Sequence, residues 1–234
     1  MRAMDEGNKR PSAISVSMTR RDVLTAAIVV AGSTLVAEAP LRSEPSGFKS
    51  AITTVFWVGE PSNAENNFIP NHQSYWDKDW QASYGGVDDP EHRNGHWPAG
   101  FRPKENPFYV ALPYGEFTDA DLLKISARRI PWYRSGVSPL LKNRWVEIRR
   151  NGLSCFAQWQ DVGPCGEDDF DFVFGDAIMP LNVFDTRAGL DVSPAVWHYL
   201  GMRDNDLTGW RFVAEADVPE GPWTETVTTS RNNR

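Results

Sequence analysis

Long apolar runs are missing from this sequence, and so are blocks of one charge. No apolar stretch reaches the roughly 18 residues of a membrane-spanning helix, so no stable span is expected once the leader described below is removed. Asp and Glu (31) outnumber Lys and Arg (24) for a formal charge of −7, and the basic residues form no run, which argues against nucleic acid or anionic membrane as a partner. Histidine is scarce. His92 and His96 stand four apart, but Pro90 and Asn94-Gly95 break any helix that would bring them onto one face, so a zinc site is not expected. The acidic run Glu167-Asp168-Asp169 with Asp171 lacks the glycine and spacing of a calcium loop and reads as a solvated loop. Ser-His-Asp order, G-x-S-x-G, P-loop and dinucleotide fingerprints are all lacking, and neither metal nor cofactor is expected. There is no internal repeat. What is plentiful is tryptophan (10), glycine (18) and proline (17), the composition of a loop-rich β protein.

The clearest local signal lies between Lys142 and Cys165. Asn151-Gly152 tolerates the two positive φ angles of a tight hairpin turn, and that turn pairs Ile148 with Cys155, Val146 with Ala157 and Arg144 with Trp159. One face is then Val146, Ile148, Leu153, Cys155, Ala157 and Trp159, suited to a core; the other is mixed. Further strands are expected at 51–58, 108–113, 170–174, 182–184 and 210–214, with an extended finish at 218–223. A helix is expected from Thr118 to before Pro131, with Leu122, Leu123 and Ile125 as its apolar face. A second follows from the Ser193 cap and Pro194 to about Leu200, stopped by Gly201. Residues 61–105 are too long for an ordinary connection and read as a loop arm rich in aromatics.

The segment Met18-Thr19-Arg20-Arg21-Asp22-Val23-Leu24, followed by a moderately apolar stretch, resembles a twin-arginine export signal. It implies export to the periplasm or the outside, with Ala37-Glu38-Ala39 as a cleavage candidate. The chain divides into a signal at 1–39, a Ser/Pro/Gly linker at 40–50, a barrel domain at 51–223 that includes the arm, and a disordered tail at 224–234. In an exported protein a disulfide between Cys155 and Cys165 is permitted; alternatively Cys155 is a small buried hydrophobe.

Asp161-Val162-Gly163-Pro164, then Leu190-Asp191-Val192-Ser193-Pro194-Ala195 and Leu200-Gly201, with Leu112-Pro113-Tyr114-Gly115 earlier, resemble motifs of the double-psi β-barrel shared by the rare lipoprotein A group and the expansins. The resemblance covers roughly residues 105–215. It implies a mainly β, six-stranded double-psi barrel with two short helices and a long aromatic N-terminal arm. It also implies action on polysaccharides. Asp161 matches the acid of the D-x-G-P turn that the peptidoglycan-cleaving members use, and Asp191 the general acid of the endoglucanase-like branch. Tyr109 stands where the cleaving members carry His.

Each candidate has two readings. Asp161 is either a general acid at the barrel rim or a turn Asp that caps backbone amides. Asp191 is either a second acid or a favourable charge before a helix start, and Glu60 either the partner carboxylate or a solvated strand end. Trp76 and Trp80, with Tyr109, Tyr114 and Gln158, are candidate substrate contacts; the same rings could instead pack the arm onto the barrel. The expectation is an exported, monomeric protein that engages polysaccharide or peptidoglycan and possesses acid/base residues for cleaving it. The alternative is an expansin-like binding or structural module without turnover.

Overall fold

The computed structural model describes residues 47–184, 186–231 and 233–234. The twin-arginine segment and the cleavage candidate therefore lie outside the described residues. Among those described, the protein is mainly β, built on a closed six-stranded barrel of mixed strand direction, compatible with the double-psi arrangement. The strands are β1 (Lys49–Val55), β4 (Tyr109–Leu112), β5 (Trp145–Arg150), β6 (Leu153–Val162), β7 (Leu190–Val192) and β8 (Asp206–Val213), joined in the order β1-β7-β4-β6-β5-β8. A small ribbon, β2 (Arg93–Asn94) with β3 (Trp97–Pro98), decorates the arm. Closure removes the exposed sheet edge that a free strand would offer to other chains. No helix among the described residues is long and apolar enough to cross a membrane.

The β5–β6 hairpin forms in the register its turn dictates. Asn151 and Gly152 both take positive φ, and Ile148 faces Cys155 while Val146 faces Ala157. Arg144 lies beyond the paired residues of β5, yet its carbonyl accepts the Trp159 amide at 2.8 Å, so the expected partnership extends there. Inward side chains of β4, β5, β6 and β7 fill the barrel: Val110, Leu112, Val146, Ile148, Ala157, Trp159, Leu190 and Val192 are all buried. Leu153 departs from its expected place. It sits at the hairpin tip and is exposed.

Three short helices are described: α1 (Trp80–Tyr84), α2 (Phe170–Phe174) and α3 (Pro194–Tyr199). In α3 the Ser193 hydroxyl accepts the Val196 amide, as its sequence predicts. α2 corrects an expected strand. Phe170, Phe172 and Phe174 alternate, but Asp169 caps the segment by accepting the Phe172 amide at 3.2 Å, and the chain turns helical. Asp169 is thus a buried cap, not part of a solvated loop. The helix expected from Thr118 is also corrected. Asp121 adopts positive φ, Lys124 N–H bonds to the Glu116 carbonyl, and only a 3-10 turn forms at Ile125–Arg129, with Leu122 and Ile125 exposed. At 182–184 the Asn182 side chain bonds the Phe184 amide and the Ala188 carbonyl, closing a turn where a strand was expected.

The stretch from Thr224, expected as a disordered tail, packs instead. Thr228 is buried and exchanges backbone hydrogen bonds with the Gln158 amide side chain, while Lys142 donates to Ser230 and Arg231. Asn233 bonds the Asp77 carboxylate and the Trp76 carbonyl. Short polar residues hold this segment by meeting buried polar partners, which carries no apolar periodicity to read.

Candidate functional site

Three of the barrel strands place two acids side by side. Ala111 of β4 is in register with Asp161 of β6 on one side and Asp191 of β7 on the other, and Thr54 of β1 pairs with Asp191. The row Thr54–Asp191–Ala111–Asp161 therefore runs across four strands. The register of β4 and β6 shifts between Val110 and Ala111, and such a bulge re-aims the side chains beyond it. The D-x-G-P turn then folds back over the same spot. A Cβ placed on Gly163 would lie 3.7 Å from Asp191 Oδ2 and 3.8 Å from Ala111 Cβ. Ala111, with only a methyl, stands between the two acids in the row, and the Asp191 charge acts on Asp161.

Glu60 reaches this place from the end of the extended run that follows β1. Its backbone and that of Gly59 pair with Asn71 (Gly59 N–H to Asn71 O, 2.7 Å; Asn71 N–H to Glu60 O, 2.9 Å), and Asn71 Nδ2 donates to Glu60 Oε2 at 2.9 Å. Gly59 has φ +78, and a Cβ there would meet Val87 Cγ2 at 2.9 Å, so this turn requires glycine.

The acids are poised near neutrality. Burial, opposed by the backbone amides of Tyr75 and Val162 and reinforced by the Asp191 charge, pushes Asp161 up to about 7. Burial and Asp191 likewise push Glu60 up to about 7, against hydrogen bonds from Trp57, Asn66 and Asn71. Asp191 therefore acts electrostatically on both partners. Among the described residues no lysine or arginine pairs with Glu60 or Asp161, so nothing restores their ionised forms to the usual range. Asp161 is 9% exposed; Tyr75 N–H donates to its Oδ1 at 2.7 Å, and Trp159 Nε1 fixes its carbonyl at 2.7 Å. Asp191 is half-buried and accepts from the Thr54 hydroxyl. It is the member nearest to solvent.

The structure buries all five residues expected to contact substrate. Tyr109 is wholly buried, accepting Val58 N–H at 3.0 Å and donating to Asp88 at 2.8 Å. Tyr114 bonds Ser126 and packs on Phe170 and Phe174. Both polar ends of Gln158 are consumed by Asn106 and Thr228. Trp76 donates to Glu116 and stands edge-on to Trp159, while Trp80 packs on Phe56 and Tyr109. Trp76, Trp80 and Tyr109 join the arm to the barrel, Tyr114 packs on α2 and Gln158 holds the C-terminal segment; an aromatic ring with one polar atom buries best where that atom finds a fixed partner.

Nor does a disulfide join Cys155 to Cys165. Cys155 lies inside the barrel near the start of β6 and Cys165 beyond its end; at about 3.3 Å per residue the strand carries them far past the roughly 7 Å that a bridge allows. Among the described residues no group of three His, Cys, Asp or Glu side chains is arranged to hold a metal ion. Sequence reasoning missed Asn66, Asn71, Thr54 and the Tyr75 amide. The only signal was the Asn-rich turn between Pro61 and Pro70.

A scan against models of protein families and a search of curated proteins both return no match for this chain.

Proposed function

We propose that the protein is exported and engages a cell-wall polysaccharide of the peptidoglycan type where Glu60, Asp161 and Asp191 meet, and that these carboxyl groups act as general acid and base in cleaving it. The observation that supports this reading is the carboxyl cluster itself: two buried carboxyl groups whose pKa is pushed up to about 7 lie beside a third that meets solvent. Glycosidic cleavage needs a proton for the leaving oxygen and a carboxylate to take up the complementary charge. Asp161 and Asp191 lie one strand away from Ala111 on either side, so their backbones are roughly 9.5 Å apart from two strand spacings. In that scheme Glu60 or Asp161, the members that hold a proton, would supply it to the glycosidic oxygen, and the ionised Asp191 carboxylate would take up the complementary positive charge.

A second reading, binding without turnover, is favoured by one specific observation. The arm covers Asp161, whose carboxylate meets backbone N–H groups, and Tyr109 has its hydroxyl tied to Asp88. The test is incubation of the purified protein with peptidoglycan and with soluble glucans, beside Asp161→Asn and Asp191→Asn. New reducing ends or anhydro-sugar products that vanish in both variants establish cleavage. Retention without products supports the binding module, and no retention on any glycan overturns both readings.

A further inference from the structure

The cluster has a neighbour that the barrel does not explain. Loop 61–70 leaves and rejoins the chain through the Gly59/Glu60–Asn71 backbone pair, so Glu60 forms its neck. Compact surface loops with closed necks are frequently functional. This one is held rigid from within: Asn63 N–H and Asn66 Oδ1 bond at 2.8 Å, Asn66 Nδ2 donates to the Pro61 carbonyl, and Phe68 N–H donates to the Asn63 carbonyl at 2.7 Å. Asn67 and Phe68 both take positive φ (54° and 59°), a conformation that a bulky residue such as Phe rarely adopts and that marks stored strain.

That strain presents an apolar ring to water. Phe68 is 71% exposed, and every other Trp, Tyr and Phe side chain of the described residues is buried or half-buried. Its place relative to the acids is bounded. The Asn71 side chain donates to the Glu60 carboxyl at 2.9 Å, and Phe68 stands three residues before Asn71, within about 11 Å of backbone from it. Folding would normally hide such a ring, since its burial removes a large apolar area from water.

We propose that Phe68 is a specificity-determining platform at the mouth of the carboxyl cluster, stacking its face on the C–H face of a pyranose ring of the bound glycan. The proposal rests on the polysaccharide reading above. Ile69, also exposed, widens the apolar surface, and the exposed amide of Asn67 is placed to meet ring hydroxyls. The stacking role that the sequence suggests for Trp76 and Trp80 thus passes to a different ring of the same arm.

The experiment measures retention on insoluble peptidoglycan and dissociation constants for soluble β-1,4-linked N-acetylglucosamine oligomers. It compares wild type, Phe68→Ala, Phe68→Tyr and the remote control Leu153→Ala at the hairpin tip. Unfolding midpoints are recorded for all four; an exposed ring leaves them unchanged. The expected result is a roughly tenfold weaker affinity for Phe68→Ala, with Phe68→Tyr and Leu153→Ala like wild type. Wild-type binding that Phe68→Ala leaves intact overturns the platform while the polysaccharide reading stands. Equal weakening by Leu153→Ala also overturns it, since the effect is then not local. Failure of the wild type to bind either probe overturns both.

Discussion

Strand β4 buries both of its faces, and the two burials differ in kind. Val110 and Leu112 enter the barrel interior among Val146, Ile148, Trp159, Leu190 and Val192, where apolar volume is the main filling. Tyr109 and Ala111 point the other way, into a separate cluster with Phe56 and Val58, which follow β1, and with Trp80 and Tyr84 of the arm. On that outer side the buried groups include Asp88 and Arg93, paired at 2.5 Å, and the carboxyl set around Ala111. Burial pushes Asp88 up despite Arg93 beside it, and pushes the Tyr109 and Tyr84 hydroxyls well up as well. An interior made of apolar side chains contributes stability and little chemistry. A wall covered by an arm can hold charged groups in a low dielectric while leaving one member, Asp191, near water. The barrel is therefore the support, and the arm makes the setting in which its acids are unusual.

The most damaging test of this contrast lies on the inner side. Trp159 is fully buried, stacks on Phe212 at 5.7 Å and meets Trp76 edge-on at 6.0 Å. Trp159→Ala is expected to cost roughly 3–5 kcal/mol in urea unfolding. A loss below about 1 kcal/mol would mean that the interior does not carry the fold. The next test is pH. Glu60 rises from 4.5 and Asp161 from 3.8, each to about 7, so the folded protein takes up protons that the unfolded chain has released. Stability from these groups is full below the ordinary carboxylate range and is lost as pH rises to about 7, on the order of 3 kcal/mol for Glu60 and 4 kcal/mol for Asp161. Glu60→Gln keeps an acceptor for Asn71 and removes the charge, so the decline between pH 4.5 and 7 should shrink and the variant should be more stable than wild type at pH 8. Urea midpoints across that range check it, and an unchanged slope would show that Glu60 is not held protonated.

Much of the inner side is legible in the sequence because its rules are local. Asn151-Gly152 sets the hairpin register, and Ser193-Pro194 starts α3. Asp161 and Asp191 stand out through the motifs around them, and the strand register puts them in one row. The outer side is illegible for a physical reason. Trp76 and Trp80 look like surface rings because polar residues surround them, but those polar neighbours satisfy backbone groups and each other beneath the arm. No period of 2 or 3.6 encodes a contact between Tyr109 and Asp88, 21 residues apart, or between Gln158 and Thr228, 70 apart. Phe170–Phe174 failed for another reason: alternation over five residues fits a strand, and the Asp169 cap decided otherwise.

The smallest expected effect sharpens the contrast most. Tyr109→Phe removes one oxygen and leaves the ring in place against Phe56, Trp80 and Tyr84. The Val58 amide then loses its acceptor and Asp88 one of its donors, while the Arg93 pair persists. A buried polar group left without a partner costs about 1–3 kcal/mol, and the variant should lose that amount. Hydrogen exchange gives the location: the Val58 amide and the α1 segment should lose protection, whereas the Ile148 and Cys155 amides of the hairpin should lose much less. Uniform loss of protection would mean that arm and barrel unfold as one unit and that the two faces of β4 are one core. No loss at all would mean that the rings alone hold the arm, and the polar network beneath it would then have to be explained by the acids it surrounds.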